Sequence, residues 1–191
     1  MNVETSPFGH SHPWSRPLRT LTRVAVVAIC AGVASAESPA RLPWTTWSHT
    51  RPLSPGVINL IEGASERSLI VTRLMKELEA TDLVVYVSDS MPGVNAGPKS
   101  NLAFLAREGG LRYVMVRIDF WRLSPPERIA ALGHELQHAL EIAAAPEVKS
   151  AASLAELYRR IGWEGHEGRF ESGDAQDTGH RVRAQLDRSG V

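Results

Sequence analysis

The sequence predicts an α+β fold: a small, mostly antiparallel sheet packed on one long helix, with further helices toward the C-terminus. Three observations predict it. Leu83-Val84-Val85-Tyr86-Val87 is a short β-branched run, and two strand-like arms flank Glu108-Gly109-Gly110. Ser124-Pro125-Pro126-Glu127 opens an apolar-periodic stretch that runs to about Ala145. Helical periodicity recurs before the strands, over 57–80, and after the long helix, over 151–161 and 171–188.

The first 36 residues read as a signal peptide ahead of the fold. Arg16, Arg19 and Arg23 stand against one acid, Glu4, and an uncharged run from Val24 to Ala36 ends in Ala34-Ser35-Ala36. A basic stretch, an apolar run and a small-x-small end are the parts of an export signal, with cleavage expected before Glu37. The apolar run is too short to serve comfortably as a permanent bilayer span. Removing 1–36 leaves 155 residues with 18 basic and 20 acidic side chains, and it removes Cys30, the only cysteine. A metal in the remaining chain must therefore be held by imidazoles and carboxylates. The near-balance of charge provides no basic face for nucleic acid, and no amphipathic helix suits a membrane surface.

Residues 37–56 read as a Pro-rich lead-in, with Pro39, Pro43, Pro52 and Pro55, whose Trp44 and Trp47 pack back onto the domain. The single folded domain is expected over 57–191. Residues 57–80 form helix in two pieces broken near Gly63, and Ile70, Val71, Leu74, Met75 and Leu78 give the second piece an apolar stripe. Leu83–Val87 is a buried strand, and 88–100 has the composition of a loop. Asn101–Arg107 and Leu111–Asp119 form a hairpin, with Val114, Val116 and Ile118 on one face. Ser124 caps the long helix, Pro125 suits its first turn and Glu127 completes a capping box. Residues 162–170 form a loop with three glycines, and a last helix covers roughly Glu171–Arg188.

Within the capped helix lies His134-Glu135-Leu136-Gln137-His138. Two histidines four residues apart stand one above the other on a helix, so both imidazoles can reach one metal ion. Glu135 points to the side of that face, where it can take a proton from a metal-polarised water without being a ligand. Ile129, Leu132, Leu136, Leu140 and Ala143 cluster on the opposite side as core, while Ala130, Ala131 and Glu127 share the histidine face.

A catalytic zinc site needs a third protein ligand. The position ten residues after His134 is Ala144, which cannot ligate. Glu141 lies too close on the same helix and suits a supporting or surface contact. Glu156 points away from the apolar face of its helix. Glu171 shares an inward face with Ala175, Thr178, Val182 and Leu186, where a carboxylate needs a partner; it either meets a metal or simply begins its helix. Asp174 can orient a histidine, and His166 and His180 are weaker ligand candidates.

His134-Glu135-x-x-His138 followed by a helix bearing Glu171 resembles the zincin metallopeptidases of the gluzincin type, especially their small single-domain forms, over roughly residues 83–188. Glu171-Ser172-Gly173-Asp174-Ala175 follows the usual Glu-x-x-Ala-Asp pattern only loosely. The resemblance implies one zinc ion held by His134, His138 and Glu171, with Glu135 as general base. It implies a minimal zincin-like fold whose edge strand, here Leu111–Asp119, binds substrate backbone by strand addition. Tyr158 and His180 are the candidates for stabilising the transition state. The activity expected is that of an exported zinc metallopeptidase acting on a peptide or protein substrate. The alternative is a catalytically inactive zincin-like domain that binds metal or a protein partner.

Overall fold

A computed structural model describes residues 47–89, 99–164 and 170–188. The expected signal peptide, Trp44, His166 and most of the 88–100 loop lie outside the described residues. In chain order the elements are β1 (Thr50–Pro52), α1 (Pro55–Arg67), α2 (Leu69–Leu78), β2 (Leu83–Asp89), β3 (Ser100–Glu108), β4 (Leu111–Ile118), α3 (Pro125–Ala143), α4 (Ala151–Ile161), β5 (Trp163–Glu164), β6 (Phe170–Glu171) and α5 (Gly173–Arg188). The α+β class is as predicted. The described residues belong to one compact unit. No helix among the described residues is long and apolar enough to cross a membrane.

The sheet is mixed rather than mostly antiparallel, with strand order β1-β2-β4-β3. Only the β3–β4 hairpin is antiparallel; β1 pairs parallel with β2, and β2 with β4. The cause is the crossover. The helical pair α1–α2 carries the chain from β1 back to the start of β2, which forces a parallel pair. The hairpin then folds so that β4 enters between β2 and β3. Gly109 and Gly110 turn it at φ 57° and 85°, the left-handed pair that a two-residue hairpin turn requires. β3 is left as an edge strand, and its register shifts between Phe104 and Ala106. Such a bulge discourages pairing with another exposed strand beyond Phe104 and leaves the Ser100–Phe104 end of the edge regular.

Two boundaries differ from expectation. The lead-in is not free of structure: Thr50–Pro52 pairs with β2, helped by Val85 N–H donating to His49 O at 2.7 Å. Pro52 is tolerated because β1 is an edge strand. The helical break falls at Ser68, not near Gly63. Ser68 N–H closes α1 on Ala64 O, and its side chain accepts from Val71 N–H to start α2. A buried serine that ends one helix and caps the next outweighs the modest helical cost of one glycine. Its Oγ also donates to Gln185 on α5 at 2.9 Å.

The core lies between the sheet and α3. β4 alternates strictly, with Arg112, Val114, Val116 and Ile118 inward, against Ile129, Leu132, Leu136, Ala139 and Ile142 of α3. Trp47 packs on the edge of this core as expected. α5 crosses α3 closely: a Cβ at Gly133 would stand 2.8 Å from Val182 Cγ2, so only glycine fits.

Arg112 breaks the apolar pattern and is 1% exposed. Its Nη1 donates to Ile142 O at 2.8 Å and Ala145 O at 2.7 Å, and its Nη2 to Ala143 O at 3.1 Å. Nε and Nη2 also form a bidentate pair with Asp82, at 2.9 and 2.6 Å. The last carbonyls of a helix have no partners within it, so one guanidinium satisfies the C-terminal end of α3 and completes its dipole.

Arg112→Met should cost about 3 kcal/mol or more in urea unfolding at neutral pH, because several buried carbonyls lose their donor together. The hydrogen bond from Arg112 holds the Asp82 carboxyl below its ordinary value of 3.8. The stability from this pair is therefore fully present above about pH 4 and is lost as the pH falls through the lowered folded value. Urea midpoints measured from pH 5 down to 2 should fall less steeply for Asp82→Asn than for the natural chain.

Candidate metal centre

The helical repeat of α3 places His134 and His138 on one face, their rings 4.8 Å apart and nearly perpendicular. Glu171 arrives from a different element. It was expected on the last helix but lies in β6, because Ser172 Oγ accepts from Ala175 N–H and α5 starts only at Gly173. Glu171 Oε1 stands 3.6 Å from His134 Nε2 and 3.4 Å from His138 Nε2. The three donor atoms all lie within 4.8 Å of one another, so this group can hold a metal ion. Ligands about 2.0–2.1 Å from a tetrahedral ion sit about 3.3 Å from each other, close to the two nitrogen–oxygen separations.

The chemistry of the donor set also fits a cation. His138 is buried, and its Nε2 has no hydrogen-bond partner among the described residues. At 3.4 Å Glu171 is its electrostatic neighbour. On the other side of the ring, Nδ1 lies 2.9 Å from Glu141 Oε2 and 2.9 Å from the Tyr158 hydroxyl. A carboxylate only accepts, so Nδ1 carries a proton toward Glu141, and Nε2 is the nitrogen turned toward Glu171 and His134.

Negative groups crowd the site. Burial pushes the Glu135 carboxyl well up, opposed by the positive potential of His134 and His138. Burial would lower the His138 pKa, but the hydrogen bond to Glu141, then Glu171 and the charges of Glu135 and Glu141, raise it to about 9. Glu171, less deeply set, is raised by burial but held below the ordinary carboxylate value by His138 and His134. A dication answers the same excess of negative charge that otherwise keeps a proton on His138.

β6 is positioned by its neighbours. Phe170 stacks on Tyr158 with ring centres 5.5 Å apart, and Trp163 pairs with Glu171 across the β5–β6 ribbon. Gly162, just before β5, leaves no room for a side chain, since a Cβ there would lie 1.9 Å from Glu171 O. The last helix passes over His134, with a Cβ at Gly179 reaching 3.3 Å from His134 Cβ.

Other candidates sort clearly. Glu141 supports the site from behind His138, with only 9% of its side chain exposed. Glu156, Asp174 and His180 are exposed and take no part in the donor group. Tyr158 touches the back of His138 rather than the open side, which corrects its place as a transition-state group. The α3 wheel also needs correction. Glu135 and His138 are buried along with the apolar stripe, while Leu140 and Ala143 are only half-buried. The role expected of Leu111–Asp119 also moves, because β4 is flanked on both sides and cannot receive another strand. The free edge is β3, whose Ser100 opposes the upward push of burial on the Glu135 carboxyl. Sequence reasoning missed Arg112 and the ribbon; the one available signal was a charge in phase with Val114, Val116 and Ile118.

No family model, curated protein or solved structure matches this chain.

Gly162→Ala should push β6 away from the end of α4. Its melting temperature should fall by several degrees, and the cross-peaks between the Tyr158 and Phe170 rings in nuclear magnetic resonance spectra should weaken.

Proposed function

We propose that the protein is an exported zinc metallopeptidase that hydrolyses peptide bonds with water as nucleophile and no covalent intermediate. The observation that carries this reading is the convergence of His134, His138 and Glu171 donors within 4.8 Å, beside the buried carboxylate of Glu135. Two imidazoles and one carboxylate, with no cysteine among the described residues, suit zinc. The basic stretch and apolar run at the N-terminus support export.

His134, His138 and Glu171 would hold the ion. Zinc supplies Lewis acidity at the peptide carbonyl and lowers the pKa of water toward neutrality. Glu135 is the general base: it lies one residue from His134, outside the donor set, and its burial makes the carboxylate a ready proton acceptor. It takes the proton from the attacking water and returns it to the departing amine nitrogen. Ser100, the first residue of the edge strand β3, acts on the Glu135 carboxyl, so an extended peptide lying along that end of the edge passes near the base.

Purified protein should contain close to one zinc per chain by elemental analysis and should cleave unstructured peptides, with activity lost on chelation and restored by zinc. Glu135→Gln should keep the zinc and lower kcat by about 10²–10⁴-fold. Full activity in that variant, or a chain that takes up no zinc, rules the reading out. Stoichiometric zinc with no turnover across a broad peptide library identifies an inactive metal-binding domain instead.

A further inference from the structure

We propose that Glu141 is the positioning residue of this centre, fixing with one carboxylate oxygen which nitrogen of His138 faces the metal and with the other tying down the segment that bears Glu171. The proposal rests on the zinc reading above and goes beyond it in naming what holds the ligands in register.

Glu141 stands one turn beyond His138 on α3, so helical geometry aims both at the same neighbour. Oε2 lies 2.9 Å from His138 Nδ1, and Oε1 accepts from Ser172 Oγ at 2.5 Å. Ser172 follows Glu171 directly, and its Oγ accepts in turn from Ala175 N–H at 3.2 Å as the cap of α5. Three successive residues thus meet the centre, two from behind and one from the front: Phe170 stacks on Tyr158 and Ser172 bonds Glu141, while Glu171 faces both histidines. A solvated surface carboxylate has no use for such partners. One that is 9% exposed needs donors, and Glu141 finds one in the first ligand-bearing element and one in the second.

Because one carboxylate binds both elements, metal binding at His138 Nε2 and docking of 170–172 strengthen each other, and the coupling is reciprocal. Glu141 touches neither the ion nor a reacting atom in this arrangement. Its effect is on affinity and ligand geometry.

The test measures zinc affinity by competition with a chromogenic chelator, and the visible spectrum of the cobalt-substituted protein, for the natural chain, Glu141→Ala, Glu141→Gln and Ser172→Ala. Glu141→Ala should weaken zinc binding about 10–100-fold and alter the cobalt bands. Glu141→Gln should lose less, since its amide oxygen can still accept from Nδ1. Ser172→Ala should weaken binding by a smaller factor, and the loss in the double variant should be less than the two single losses together, because Glu141 and Ser172 share one link. Ser172→Ala removes only a hydroxyl and so keeps the test available should Glu141→Ala fail to fold. Zinc affinity within twofold of the natural chain in every variant, with unchanged cobalt spectra, overturns the proposal and leaves the zinc centre standing. A natural chain that takes up neither ion overturns both.

Discussion

Arg112 is the contact on which the arrangement of this domain turns. α3 carries His134, Glu135, His138 and Glu141, and its other face fills the core, so its axis has to be held against the sheet with little tolerance. Apolar packing alone allows a helix to slide or roll, because burial is non-directional. The guanidinium supplies direction. It stands on the inward face of β4, grips the carbonyls of Ile142, Ala143 and Ala145, and is itself held in a fork by Asp82 at the start of β2. Two strands and the end of the helix thereby share one rigid planar group.

The same helix buries an unusual amount of polarity. Glu135 and His138 are 3% and 4% exposed, and Glu141 is close behind. A core built only for stability would place apolar side chains at these positions. Here the cost is offset by a closed set of hydrogen bonds on one side of His138 and by the meeting of imidazoles and carboxylates on the other. The structure thus divides the polar cluster into a supporting half (Glu141, Tyr158, Ser172) and an open half (His134, Glu135, Glu171).

What was legible in the sequence was whatever is determined by residues close together in the chain. Ser124 and Glu127 mark the start of α3, the apolar period marks α4 over 151–161, and paired glycines turn the hairpin. The histidine pair follows from the helical period alone. Pairings over long sequence distances were not legible. The parallel partners of β2 depend on where α1 and α2 return the chain. The sequence pattern puts Glu171 on a helix that it only precedes, because the capping role of Ser172 depends on its local backbone; the half-buried carboxylate faces both histidines from β6. The break at Ser68 was hidden by the stronger signal of Gly63, although a Cβ at Gly63 would meet nothing within 4 Å and the helix simply runs through.

The two imidazoles come from neighbouring turns of one helix, whereas the carboxylate comes after α4 and a two-residue strand, 33 residues beyond His138. In a chain that emerges N-terminus first, from a ribosome or a translocation channel, the residues of α3 are released before 171. The third donor is thus delivered only when the fold is nearly finished. A nascent chain carries the histidine pair without the complete centre, so any hydrolytic capacity arises together with the folded domain and is withheld while unfolded segments of the same chain are within reach.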